Sequence, residues 1–260
     1  MLVAALLLAA LAAPAEPSAP VDHGHDATIK HSFDDVPKWV QVFDDPGRDA
    51  WQKPDAVIRA LGVAAGMTVA DLGAGTGYFS VPLAKVVGAE GRVLAIDVEP
   101  KLVDYMKERA AKASLPQMVP VLAQTDDPRL PARGVDLVLI VDTWHHIDDR
   151  LHYLAKVAAG LKPGGRVAVV DFKKGDFPVG PPDAHKLTSD AVTAEFVAAG
   201  WTLASHWDEL SYQYVLVFTP PAASPGASGR RSTDPRATDV SDSARAALCE
   251  PPDTSFPRSF

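Results

Sequence analysis

The chain has 260 residues, 47% of them apolar, and a formal net charge of −8. That length and apolar content can bury the core of one sizeable domain, and the acidic balance argues against a broad electrostatic nucleic-acid footprint. Cys249 is the sole cysteine, which excludes an intrachain disulfide and a cysteine-based zinc site.

Taken in chain order, residues 1–15 hold a run of Leu, Ala and Val from Leu2 to Leu11, followed by Ala13-Pro14-Ala15. The run is too short to span a bilayer and suits a signal peptide cleaved after Ala15, although no Lys or Arg stands beside Met1. Export, for example to a periplasm, is the expectation from this segment; a cytoplasmic protein with a hydrophobic N-terminal segment is the alternative. No integral membrane span is expected. Residues 16–32, rich in Pro, Asp and His, read as a linker. His23, His25 and His31 lie in it, and no metal site is assigned to them. Next come Trp39, Val40, Val42, Phe43 and Trp51, then Val57, Ile58 and Leu61 at helical spacing just after Pro54 and Asp55. That pattern predicts an N-terminal helical cap over residues 33–62, heading a domain over 33–219.

The centre alternates strand and helix. Strands are predicted at Met67–Asp71, Arg92–Asp97, Met118–Ala123, Val135–Val141 and Arg166–Asp171. The run VDLVLIV at 135–141 is almost wholly apolar, as a strand covered on both faces should be. Helices are predicted after Gly77, through Leu102, Val103, Met106 and Ala110, around Leu151–Leu161, and over Thr188–Ala199. Trp201–Trp207 and Tyr212–Phe218 then follow as two strands with no helix between them. The alternation predicts a Rossmann-like, doubly wound parallel α/β sheet, and a closely spaced final pair requires an antiparallel last strand. From Pro220 the composition shifts to Ser, Pro, Ala, Asp and Arg, so 220–260 is expected to be a disordered tail.

The chemistry starts at Asp71-Leu72-Gly73-Ala74-Gly75-Thr76-Gly77, between the first strand and its helix. Small residues there let a ligand approach the backbone. Dinucleotide-binding proteins use a similar turn, but with G-x-G-x-x-G spacing; here it is G-x-G-x-G. Asp71, directly before the turn, would repel a diphosphate and can meet the cationic amino-acid end of S-adenosylmethionine. Asp97, ending the second strand, can accept hydrogen bonds from both hydroxyls of a ribose and would repel a 2′-phosphate.

With these residues in place the sequence resembles the class I S-adenosylmethionine-dependent methyltransferases, in the set of small bacterial enzymes with a type 11 domain. VADLGAGTGYFS, AIDVEP, VDLVLIVDTWHHIDD and LKPGGRVAVVDF occur in the family's order across residues 55–219. The resemblance implies a seven-stranded sheet whose seventh strand is antiparallel. It places Asp71, Gly73, Gly75 and Gly77 around the methionine part of the cofactor, Asp97 on the ribose and Val98 on the adenine. Thr125, Asp126 and Asp127 are its candidates for the adenine amino group, although the family's usual Gly-Asp pair is absent. Asp142 would lie where cofactor and acceptor meet.

A sulfonium is already a reactive methyl donor, so the protein mainly has to align the acceptor, an effect worth about 7–11 kcal/mol in favourable cases. A base is needed only where the acceptor atom carries a proton. Asp142, His145 and His146 are the catalytic candidates, because the loop after the fourth strand opens on the carboxyl edge of the sheet. The Pro-rich segment 173–182, with His185 and Lys186, is expected to border the acceptor pocket. The leading expectation is methyl transfer to a small molecule, with a protein side chain as a lesser alternative and nucleic acid disfavoured. The other readings are an exported, non-catalytic cofactor-binding or interaction module, and an NAD-dependent oxidoreductase, which the glycine spacing and the terminal strand pair disfavour.

Overall fold

The computed structural model describes residues 35–222. The expected signal peptide at 1–15, the linker at 16–32 with its three histidines, the first residues of the cap, and the tail beyond Ala222 with Cys249 lie outside the described residues.

Three short helices come first: α1 (Val36–Phe43), α2 (Arg48–Gln52) and α3 (Pro54–Ala60). Asp35 caps α1, its side chain accepting from the Lys38 amide, and Pro54 opens α3 where its missing N–H costs nothing. There follow β1 (Thr68–Leu72), α4 (Ser80–Val87), β2 (Arg92–Asp97), α5 (Pro100–Lys112), β3 (Met118–Leu122) and β4 (Val135–Val141). The chain continues through α6 (Arg150–Gly160), β5 (Leu161–Phe172), α7 (Ser189–Ala198), β6 (Thr202–Trp207) and β7 (Gln213–Thr219).

The seven strands form one sheet in the order β3-β2-β1-β4-β5-β7-β6. β1 to β5 pair in parallel, and β7 runs antiparallel to both β5 and β6. Side-chain alternation sends successive strand residues to opposite faces, and both faces are buried. Val69, Val93, Leu137, Leu139 and Val170 pack with α3, α4 and α5, whereas Ala70, Leu94, Val138, Ile140 and Val169 pack with α6 and α7. This is the expected doubly wound sheet with its antiparallel last strand.

Several element boundaries differ from the sequence reading. β5 begins at Leu161 rather than Arg166, because Leu161 already pairs with Val135 and the intervening Pro163-Gly164-Gly165 bulges out of register before Leu137 meets Arg166. The helix after the glycine turn starts only at Ser80, since Gly77 has φ +84°. β6 is an edge strand, mostly exposed, with a register shift between Leu203 and Ser205. No helix among the described residues is long and apolar enough to cross a membrane.

Candidate functional site

The strand order reverses between β1 and β4, and in sheets of this kind the crevice at the carboxyl ends of those two strands is where ligands bind. A cavity of about 790 Å³ occupies that position, within the range of small-molecule sites. Its floor is the turn after β1. Gly73, Gly75 and Gly77 have φ of +72°, +58° and +84°, a region that glycine enters without steric cost. A Cβ on Gly73 would overlap the Thr143 side chain from the loop after β4, so its glycine lets those two loops meet. A Cβ on Gly75 would press against the Phe43 ring of the cap, 3.3 Å away.

Four acidic residues stand at the carboxyl ends of β1, β2, β4 and β5. Asp71 is 2% exposed and its Oδ2 accepts from Ser80 Oγ at 2.6 Å. Burial pushes its carboxyl up to about 6, with the Ser80 hydrogen bond opposing and the negative field of Asp97 adding to the rise. Asp97 takes the Gly75 amide on Oδ2 at 2.8 Å and the Glu99 amide on Oδ1 at 3.0 Å. Its carboxyl is also raised, by burial. The carboxylate keeps acceptor capacity for a further donor. Val98, 49% exposed, borders the cavity beside it.

Asp142 sits just beyond β4 with φ +51°, an uncommon conformation for a residue with a side chain. Gln213 Nε2 donates to its Oδ1 at 2.5 Å, and Gln52 Nε2 donates to its Oδ2 at 3.1 Å and to Gln213 Oε1 at 3.0 Å. Arg48 approaches Oδ2 at 3.7 Å. Burial first, then the charge of Asp171, raises the Asp142 carboxyl, while Arg48 and His145 oppose the rise. Asp171, at the end of β5, is fully buried. Its Oδ2 meets His145 Nδ1 at 3.1 Å, and its Oδ1 accepts the Phe172 amide at 2.8 Å. Burial works against a charge on His145, but the hydrogen bond and charge of Asp171, helped by Asp142, prevail and raise its pKa. The His146 ring packs on the His145 ring, centroids 4.1 Å apart.

The cap closes one side of the cavity and is tied down by polar contacts. The Arg48 guanidinium lies over the Tyr78 ring at 4.1 Å and donates to the Phe43 carbonyl at 2.7 Å; Tyr78 Oη donates to Asp49. Asp44, just after α1, takes Arg109 Nη1 on both oxygens at 2.7 and 2.8 Å and the Thr76 hydroxyl at 2.9 Å. Trp39, Phe43 and Trp51 turn this side of the cavity aromatic.

The structure therefore brings Asp71, Gly73, Gly75, Asp97, Val98, Asp142, His145 and His146 to one cavity. Gly77 is not in its wall: a Cβ there would strike Met118 at 2.8 Å, so this glycine serves the packing of the turn on β3. Thr125, Asp126 and Asp127 do not border the cavity either. The chain folds back on itself there, with Gln124 and Asp127 exchanging both backbone hydrogen bonds. Asp126 is held by Lys156, and Asp127 Oδ1 accepts the Arg129 amide. Of the Pro-rich segment, Val179, Gly180 and Pro181 reach the cavity, whereas His185 and Lys186 do not.

Sequence reasoning missed Arg48, Gln52, Gln213 and Asp171. Asp171 had a readable signal, an acidic residue ending a strand as at Asp71 and Asp97. Gln52 and Gln213 are 161 positions apart, and nothing local marks them as partners.

Residues 69–165 match a family model described as a methyltransferase domain. Aklanonic acid methyltransferase DauC from Streptomyces sp. (strain C5) is 32% identical over 129 residues, covering 49% of this chain and 59% of that protein. A demethylmenaquinone methyltransferase from Tropheryma whipplei (strain Twist) is 31% identical over 160 residues, covering 58% of this chain and 62% of that one. The chain thus spans less than two thirds of the length of either curated relative. The crystal structure of a SAM-dependent methyltransferase from Aquifex aeolicus superposes with a TM-score of 0.67 at 28% identity, covering 70% of this chain and 97% of that chain. By its motifs, its sheet and these likenesses, the chain carries a methyltransferase domain over residues 69–165 and is similar to the class I S-adenosylmethionine-dependent methyltransferases of the type 11-like kind.

Proposed function

We propose that the protein transfers a methyl group from S-adenosylmethionine to a small-molecule acceptor held in the cavity between the glycine turn and the cap. The observation that carries the reading is the pair of buried carboxylates, Asp71 and Asp97, flanking the glycine turn at the crossover of the sheet. This donor set suits the cofactor: Asp97 has acceptor capacity for ribose hydroxyls, and Asp71 is anionic where an ammonium or sulfonium would come. Arg48, the sole Lys or Arg of the cavity wall among the described residues, is placed to hold the amino-acid carboxylate. Val98 would border the adenine, and Gly73 and Gly75 keep the floor open. When bound, S-adenosylmethionine supplies an electrophilic methyl group on a positively charged sulfur.

The chain's own residues orient the acceptor, exclude water and handle its proton. The aromatic cap shields the site, which strengthens every electrostatic contact inside it. Among the catalytic candidates, both Asp142 oxygens are engaged by glutamine amides, so it serves to hold the cap and the β4 loop in register. His145 and His146, in the loop after β4, both line the cavity and are the candidates beside the acceptor. The two curated relatives carry names that specify small-molecule acceptors, which supports that class here.

Calorimetric titration with S-adenosylmethionine, S-adenosylhomocysteine and NAD tests the reading. Binding of the first two without NAD is expected. Binding of NAD without either sulfur ligand would refute it and return the oxidoreductase alternative.

A further inference from the structure

We propose that the acceptor is a flat, apolar molecule bearing an ionisable hydroxyl, and that Asp171 positions His145 to take that hydroxyl's proton at Nε2. The inference rests on the methyltransferase reading above and names the substrate class of the same site.

The geometry starts from Asp171. Its Oδ1 is fixed by the Phe172 amide at 2.8 Å, which leaves Oδ2 aimed at His145 Nδ1 at 3.1 Å. A buried carboxylate on Nδ1 selects the tautomer with its proton there, and makes Nε2 the accepting nitrogen. His145 Nε2 has no hydrogen bond among the described residues, and no buried side-chain nitrogen or oxygen among them lacks a partner. Nε2 is therefore open, and the ring lines the cavity. The His145 side chain as a whole is 8% exposed.

The surroundings set the substrate class. Trp51 and Phe172, ring centroids 5.6 Å apart, form one wall of that space with Val179 and Pro181. Such walls suit a flat apolar body and would strip water from a charged one at a cost. A carboxylate or a neutral amine can attack a methyl group without first losing a proton, so a buried Asp–His pair would give it no advantage. A hydroxyl gains directly, because its anion is the far better nucleophile.

Charges from each neighbouring element act on the ring. Asp171 from β5 and Asp142 after β4 favour its protonated form; Arg150 from α6 and the burial of the site oppose it. Arg48 from α2 draws on Asp142 rather than on the histidine, and the His146 ring lies alongside with its plane tilted by 46°. The balance leaves His145 more basic than an ordinary histidine, a direction suited to accepting a proton near neutral pH.

In the step, the acceptor O–H bond breaks with its proton passing to Nε2. An oxygen lone pair forms the bond to the methyl carbon, and the carbon–sulfur pair returns to sulfur, cancelling its positive charge. The products are a methyl ether, S-adenosylhomocysteine and a protonated His145 that releases its proton to solvent.

The test uses the protein saturated with S-adenosylhomocysteine and two hydroxylated probes, 7-hydroxycoumarin and 1-naphthol, with 7-methoxycoumarin as control. Absorbance reports the ionisation of bound 7-hydroxycoumarin against pH. Its anion is expected to appear about one pH unit lower than in free solution, a tenfold gain in the anion ratio. Asp171→Asn and His145→Gln should each remove that gain while S-adenosylhomocysteine still binds, and 7-methoxycoumarin should bind all three proteins alike. An ionisation profile in D171N equal to that of the parent protein overturns the positioning role. Failure of both hydroxylated probes to bind a protein that does bind S-adenosylhomocysteine overturns the substrate class. Failure of S-adenosylhomocysteine itself overturns the methyltransferase reading, and this inference falls with it.

Discussion

Asp71→Asn should make the protein more stable at neutral pH while removing its cofactor affinity. Asp71 is 2% exposed, and burial raises its carboxyl from 3.8 to about 6. A carboxyl whose pKa is higher folded than unfolded holds its proton more tightly in the native state, so its ionised form weakens the fold. The weakening grows as pH rises from about 4 and is complete above about 6.5. The separation between 3.8 and about 6 amounts to about 3 kcal/mol at pH 7.5. The amide keeps an acceptor for the Ser80 hydroxyl but loses the charge that strengthens that bond, which returns about 1 kcal/mol. The net gain is about 2 kcal/mol, or about 4–8 °C in Tm for a domain of this size. At pH 4 the parent carboxyl is protonated in the native state and half protonated when unfolded, so most of the gain should vanish. Urea unfolding of the ligand-free protein at pH 7.5 and pH 4, with calorimetric titration of S-adenosylmethionine at pH 7.5, measures both quantities. A D71N protein that is less stable than the parent at both pH values would refute the reasoning, since Asp71 would then be a supporting group rather than a strained one.

Two further perturbations probe the cap and the opposite face of the sheet. Asp44→Ala removes the Arg109 pair and the Thr76 hydrogen bond that fasten α1 to α5 and the glycine turn; it should cost about 1–2 kcal/mol. Amide exchange over residues 36–52 should accelerate while β1 and β4 stay protected, and unchanged exchange would show that the cap is held by other contacts. Phe196→Ala empties the space between Phe218, stacked at 3.9 Å, and the Trp144 and Trp201 rings at 4.8 and 5.6 Å. A loss of about 3–5 kcal/mol is expected, with Tm falling by about 6–20 °C. A loss below about 1 kcal/mol would mean that the three rings collapse into the vacated space.

Much of this protein was legible in its sequence because the governing rules are local. The all-apolar run at 135–141 announces a strand buried on both faces, and the strand–helix alternation dictates a parallel sheet. The close spacing of the last two strands forces the final reversal. The G-x-G-x-G turn with Asp71 and Asp97 at strand ends marks one crevice, because the carboxyl ends of parallel strands all point to the same edge. Tertiary structure decided what those residues face. It joined Gln52 of the cap to Gln213 and Asp142 and turned Gly77 toward Met118 and Met106. It also sent Thr125–Asp127 into a turn of its own and set Asp171 behind His145. Such pairings arise when distant segments fold to within hydrogen-bond reach, where periodicity and spacing carry no information. The glycine turn and its carboxylates are thus marked by a local pattern, whereas the rest of the cavity wall is assembled from the cap, the loop after β4 and the segment after β5.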